Sequence, residues 1–399
     1  MRHLVTLGIV RFLLDVQFWY PTWMLLLLDR GFSAGQISAV DAVHYLVIVV
    51  SEVPAGWLSD RIGRRATLLL GCLLTIPVFC GIAMVSSTAG ALAVWAAWGV
   101  LWALSSGAET AYTWELAQQT AAVDPARFLG SVRVVSGVSA FVSVLVAGPM
   151  LEFWTPLPYV VTAVLAALAA LLVLTLPETN SHSASPSSRG WDGAVRTVRG
   201  AQRRGDVIAA ITAMSALFTV GISIRILYQP LGAKAGFSAT EISLLYGGLA
   251  IAAGLGAFLA ARVRPQRAWT AVTLGSLLLA SALVGVGIAL ADKTVLLATV
   301  LLAVSSAAFL AVRTLLDVIV LRAVGPRRRA TVLSIASAAS GMAMVATRPI
   351  VLLADETWGS AQSFIGYGLT ALAICALLVL LLRPRVRSST SDEPEASST

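Results

Sequence analysis

Gly56-Trp57-Leu58-Ser59-Asp60-Arg61-Ile62-Gly63-Arg64-Arg65 is a short charged segment wedged between two long apolar runs, and it decides how the rest of the chain is read. Gly56 and Gly63 permit close backbone approach where the chain reverses. Asp60 stands among three arginines. A local charge network is expected there, and the cations place the segment on the cytoplasmic side of a membrane. Working outward, apolar runs of about 20 residues recur along the chain, each long enough to cross a bilayer.

Of the 399 residues, 58% are hydrophobic and 12% charged, whereas soluble domains carry about a quarter charged residues. The fold class is therefore an all-α polytopic membrane protein. Twelve spans are expected near 4–28, 37–58, 66–86, 90–115, 130–151, 158–176, 206–230, 240–262, 268–291, 295–323, 330–353 and 362–382. They form an N-terminal six-helix bundle (1–176) and a C-terminal one (206–382). A Ser- and Arg-rich cytoplasmic linker (177–205) joins them, and a polar tail (383–399) is expected to be disordered. The net charge of +8 does not point to nucleic acid, because no basic cluster is interleaved with stacking aromatics. Three cysteines without a CxxC pair argue against disulfide and metal sites. The first apolar run is long and charged, and reads as a retained span, not a cleaved signal. Only two lysines accompany the many arginines and alanines, a composition that hints at a GC-rich bacterial genome.

With an even span count both termini share one side. If that side is the cytoplasm, inside segments hold 20 Lys and Arg and outside loops hold 3, which fixes the orientation by the positive-inside rule. The halves also echo each other. Gly31-Phe32-Ser33-Ala34-Gly35-Gln36-Ile37-Ser38 reappears as Gly236-Phe237-Ser238-Ala239-Thr240-Glu241-Ile242-Ser243, identical at six of eight positions. Both copies join the first and second spans of their half.

The opening segment resembles the signature loop between helices 2 and 3 of the major facilitator superfamily, G-x-x-x-D-R-x-G-R-[RK]. Glu52-Val53-Pro54-Ala55-Gly56 and Ser106-Gly107-Ala108-Glu109-Thr110-Ala111-Tyr112 are similar to stretches of its drug/proton-antiporter-like branch, although the acidic residue is offset in the second. Pro177-Glu178-Thr179 matches a common end of helix 6. The resemblance implies two pseudo-symmetric six-helix bundles rocking about a central cavity. It also implies a cytoplasmic gate of Gly56, Asp60, Arg61, Gly63 and Arg64, with Glu115 bridging to Arg64. The second half departs from the pattern, since no Asp-Arg-x-Gly survives near 256–267. Gly148-Pro149 is only part of the antiporter motif of helix 5, and helix 4 lacks the arginine common in such antiporters.

Charge inside a bilayer costs at least ~2.5 kcal/mol per group on insertion scales, so each such residue requires a reason. Asp15, with Arg11 one turn away, is either a proton or cation site or half of a structural ion pair. Phe18, Trp19 and Thr22 continue that stripe. Asp41, His44, Ile48 and Glu52 share one face of helix 2. Asp41, near the outer end, is a coupling candidate or simply solvated, and His44 is read as a packing residue. Glu109 lies on a helix 4 face with Trp102, Ser105 and Tyr112, as a proton-exchanging carboxylate or the counter-ion of Arg133. Proton-coupling candidates are thus Asp15, Glu109, Glu52 and Asp41. Cavity candidates are Arg11, Trp19, Trp102, Tyr112, Arg225, Arg313 and Asp317. Arg225 is placed opposite Asp15, Arg313 pairs with Asp317, and Arg348 snorkels at the outer end of helix 11.

Enzyme signatures are missing. No phosphate-binding Gly-rich loop ends in Lys-Ser/Thr, no H-E-x-x-H occurs, and Ser105-Ser106-Gly107 has no histidine partner in sequence. Neither cofactor nor metal is expected. The expectation is a monomer in the bacterial inner membrane whose partners are protons, a small-molecule substrate and the lipid bilayer. Its activity would be proton-coupled efflux of an amphipathic or aromatic molecule, with Trp19, Trp23, Trp98 and Trp102 offering a lining. Proton-coupled uptake of a polar or anionic nutrient is the alternative, and a non-transporting receptor or scaffold is the reading of another class.

Overall fold

The computed structural model describes residues 1–120, 123–179, 204–323 and 329–388. At some helical positions, Gly56, Trp57 and Asp60 among them, only the backbone is described, so the expected role of Gly56 and Asp60 in a gate lies outside the described side chains. Every long element among the described residues is helical: α1 (Arg2–Asp15), α2 (Trp23–Asp29), α3 (Ala34–Ile62), α4 (Arg64–Met84), α5 (Thr88–Gln118), α6 (Pro125–Phe153), α7 (Leu157–Val173), α8 (Arg204–Lys234), α9 (Ala239–Ala260), α10 (Ala268–Ala291), α11 (Val295–Ala323), α12 (Arg329–Trp358) and α13 (Ser360–Ser388). Nine of the described helices are long and apolar enough to cross a membrane, and α7 is a shorter apolar helix. α13 runs on to Ser388, through the first residues of the expected tail, and the rest of that tail (389–399) and most of the expected linker (180–203) lie outside the described residues.

The expectation of an unbroken first helix over 4–28 is corrected. α1 stops at Asp15, and Val16 is extended with ψ 96°. The chain resumes as a short 3-10 turn, Tyr20–Thr22, before α2. Pro21 is the cause: its ring would collide with the carbonyl four residues back and it has no N–H to donate.

The repeated eight-residue motif is a helix stop followed by a helix start. Gly31 and Gly236 take φ of +77° and +81°, a region glycine enters without Cβ strain. The amides of Phe32 and Phe237 then reach back to Leu27 O and Gly232 O at 3.0 and 2.9 Å, closing the helix ends. Ser33 with Gln36 and Ser238 with Glu241 form reciprocal capping boxes that open α3 and α9.

The molecule divides into two compact units. One comprises Met1–Pro186, Ile226–Gly248 and Met344–Glu356; the other comprises Ser187–Arg225, Leu249–Ala343 and Thr357–Thr399. In the first unit α3 packs on α5, and α4 on α5 and α7, with α1 against α6 and α7. Leu4, Leu7, Val10, Leu68, Tyr112 and Val173 belong to one apolar core of that unit. In the second unit α10 packs along α11 and α13.

Candidate functional site

The end of α1 carries the site. Arg11 and Asp15 are one turn apart, so their side chains meet on one helix face, and Arg11 Nη2 donates to both carboxylate oxygens of Asp15 at 2.7 and 3.0 Å. Arg11 Nη1 donates to Glu109 of α5. The Ser136 hydroxyl of α6 donates to Asp15 Oδ2. One guanidinium therefore faces two carboxylates, with a hydroxyl as a further donor.

Beyond this cluster the break in the first helix leaves backbone groups without helical partners, and side chains from elsewhere in the same unit satisfy them. The Gln17 amide donates to Ser143 Oγ at 2.9 Å and the Met24 amide to Gln229 Oε1 at 3.0 Å. Pro21 O accepts from the Tyr228 hydroxyl at 2.9 Å. Irregular backbone at membrane depth survives only where it is enclosed by protein or lines a cavity.

A cavity of about 250 Å³ opens beside the cluster, wholly within the first unit. Its lining includes the polar groups Arg11, Asp15, Ser105 and Glu109 and the rings of Trp19, Phe79, Trp98 and Trp102. Trp19 stands edge-on to Trp98 with ring centres 4.5 Å apart, and Phe79 lies 5.5 Å from Trp19. Such a space combines an apolar body with a few fixed polar groups, the usual make-up of a small-molecule site. Among the described residues no cluster of His, Cys, Asp and Glu could hold a metal ion.

At the far end of α3, a single residue links two helices. Gly63, at φ +95°, ends α3 and starts α4. Arg64 Nη1 donates to Ser59 Oγ at 2.9 Å, and its Nε lies 3.7 Å from Glu115 Oε1. Thr179 donates to the other Glu115 oxygen at 2.5 Å. Glu178 accepts from the Arg65 amide at 3.0 Å, placing a carboxylate at the positive end of α4. Pro177-Glu178-Thr179 is thus more than the end of a helix, and the carboxylate and hydroxyl directly after the proline are the sequence signal for this clamp.

Several expectations are corrected. The partner of Glu109 is Arg11, not Arg133, because α1 and not α6 presents its cation to that face of α5. Tyr112 is buried in the core and donates to Pro177 O at 2.7 Å instead of lining the cavity. Asp41 is not solvated and Arg348 does not snorkel: they are 4% and 6% exposed and pair with each other. Glu52 is exposed. Trp19 and Trp102 line the cavity, whereas Trp23 packs towards Trp95. Arg61 and Arg225 are exposed. Arg313 pairs with Asp317 at 3.3 Å, with its guanidinium 5.0 Å from the Phe218 ring centre.

Solved structures of the same fold include the nucleoside transporter NupG (TM-score 0.76, 15% identity, 96% of this chain and 100% of that one). Another is a bacterial homolog of the human lysosomal transporter Spinster, inward-facing and unoccupied (TM-score 0.76, 14% identity, 97% of each chain). A third is a POT family transporter in complex with 5-aminolevulinic acid (TM-score 0.75, 13% identity, 96% of each chain). An uncharacterized MFS-type transporter of Methanocaldococcus jannaschii is 27% identical over 136 residues, 34% of this chain, and the match spans 33% of that relative's length. The family model described as the Major Facilitator Superfamily matches residues 7–347. On that match the chain belongs to the Major Facilitator Superfamily, as a multi-pass membrane secondary transporter and not an enzyme.

Proposed function

We propose that the chain is a proton-coupled exporter of an amphipathic or aromatic small molecule, working by alternating access between two six-helix halves joined through 177–205. The observation that carries this reading is Arg11 held between Asp15 and Glu109 in the wall of the cavity. With both carboxylates ionised the cluster holds one uncompensated negative charge, which a membrane interior penalises. A proton on either carboxylate removes that charge, and so does a cationic or strongly hydrogen-bonding ligand, so the two compete for one place. Asp15 and Glu109 are the exchanging groups, Arg11 keeps the neutralised state bound, and Trp19, Trp98 and Trp102 receive the apolar body. The protein is a monomer in a bacterial inner membrane, with both termini and the Arg64–Glu115 contact on the cytoplasmic side.

Uptake of a polar solute is the second reading, supported by the nucleoside and POT family transporters that share the fold. One experiment tests both. Aromatic amphiphiles, nucleosides and dipeptides are screened for thermal stabilisation of the purified protein, and binders are followed in proteoliposomes under an imposed pH gradient. The expected result is stabilisation by aromatic amphiphiles, with gradient-driven flux lost in Asp15→Asn while binding persists. Undiminished flux in that variant removes Asp15 from coupling, and flux of nucleosides or dipeptides down the proton gradient supports the uptake reading.

A further inference from the structure

The first compact unit contains two segments from the second half of the chain, Ile226–Gly248 and Met344–Glu356, and these meet the ends of the N-terminal helices remote from Gly63. Among the described residues they are joined by neutral hydrogen bonds, from the Tyr228 hydroxyl to Pro21 O at 2.9 Å, from the Met24 amide to Gln229 Oε1 at 3.0 Å and from the Ser243 hydroxyl to Val144 O at 2.6 Å, and by the Glu152 carboxylate, which accepts from the Thr240 amide at 2.8 Å. Asp41 of α3 and Arg348 of α12 form an ion pair. Lys234 and Asp355 also pair, at 2.6 Å, but they join two second-half helices to each other. Arg348 further lies 3.8 Å from the centre of the Tyr45 ring, where the ring face favours a cation.

Asp41, His44 and Tyr45 are spaced i, i+3 and i+4, so α3 presents them side by side. His44 lies edge-on to Tyr45 and stacks on Trp98 with ring centres 4.0 Å apart and planes 28° from parallel. Its Nδ1 is 3.2 Å from Trp95 O. Trp98 is itself part of the cavity wall. An unbroken series of packed groups thus runs from the cavity to the ion pair.

We propose that Asp41–Arg348 is a latch closing the outer side, and that the cavity sets its strength through Trp98, His44 and Tyr45. A ligand that turns Trp98 off His44 frees the face of α3 that holds Tyr45 against Arg348. Packed cores shift between discrete arrangements instead of deforming continuously, so a small displacement at the wall becomes a release at the latch. The device requires no particular substrate and no proton coupling, and is tested apart from both.

The test uses Ser105→Cys as a reporter in the cavity wall, in a chain carrying Cys72→Ala, Cys80→Ala and Cys375→Ala. A membrane-impermeant maleimide is applied to right-side-out and to inside-out vesicles. Asp41→Asn is expected to raise labelling about tenfold, only in the vesicles that expose the Ser33 face. The charge swap Asp41→Arg with Arg348→Asp returns it to the starting level. Trp98→Ala and His44→Leu, with the ion pair intact, are expected to raise labelling comparably, and neither adds to Asp41→Asn. Unchanged labelling in a monodisperse Asp41→Asn protein overturns the latch. A rise with Asp41→Asn, but none or an additive one with Trp98→Ala and His44→Leu, overturns the link to the cavity.

Discussion

The Arg11 cluster and the Asp41–Arg348 pair lie in the same compact unit and use the same chemistry, yet they differ in charge balance and in exposure. The cluster is unbalanced, with one cation against two carboxylates, and its side chains keep 14–20% of their surface exposed beside a cavity. The pair is balanced and closed, with side chains 5–7% exposed. An unbalanced group with access to a cavity has something to exchange. A balanced group without access can only hold or let go. Charge count and exposure, not residue type, separate the two proposed roles.

The largest effect is expected at the pair. Breaking a buried ion pair by removing one partner leaves the other charge unsatisfied, at a cost of about 3–5 kcal/mol. Asp41→Asn and Arg348→Met should each lower the melting temperature in detergent strongly, and the double variant should recover most of the loss. Equal losses for the single and double variants would show that the two side chains do not form one closed unit. At the cluster, Asp15→Asn leaves Arg11 on Glu109 and a neutral set of charges, so the stability change should stay within about 1.5 kcal/mol. Proton-driven flux in proteoliposomes should nevertheless fall. Ser136→Ala removes a hydroxyl donated to Asp15 and should cost about 1 kcal/mol, read by the same melt. The smallest effect calibrates the scale away from both sites: Glu178→Gln weakens the carboxylate at the start of α4 by about 0.3–1 kcal/mol, with flux unchanged in direction.

The fold was largely legible in the residues. Apolar run length set the spans, because a bilayer has a fixed thickness. The Gly-Phe-Ser copies announced their own geometry, since glycine at positive φ and a serine cap with Gln or Glu three residues on are local devices. The cluster was half legible. Arg11 and Asp15 could be paired from their spacing, but Glu109 was offered Arg133, and which neighbouring helix supplies the cation is a matter of inter-helix register. The break after Asp15 was signalled by Pro21 and passed over in favour of an unbroken apolar run. Tyr112 shares a helix face with Glu109 on paper, yet its hydroxyl turns to Pro177 O, a partner 65 residues away.

What the sequence determined by itself was whatever acts within a few residues: the length and polarity of spans, the stops and starts between them, and the one-turn pairing of Arg11 with Asp15. Its charge pattern and signature loop also carried the family. Only the tertiary structure decided which distant groups meet, bringing Glu109 to Arg11, Ser136 to Asp15 and Arg348 to Asp41. The reason is physical. Local geometry follows from backbone sterics and hydrogen bonds that one segment satisfies alone, whereas a buried charge must find its partner through the packing of whole helices, and that packing is written in no single stretch.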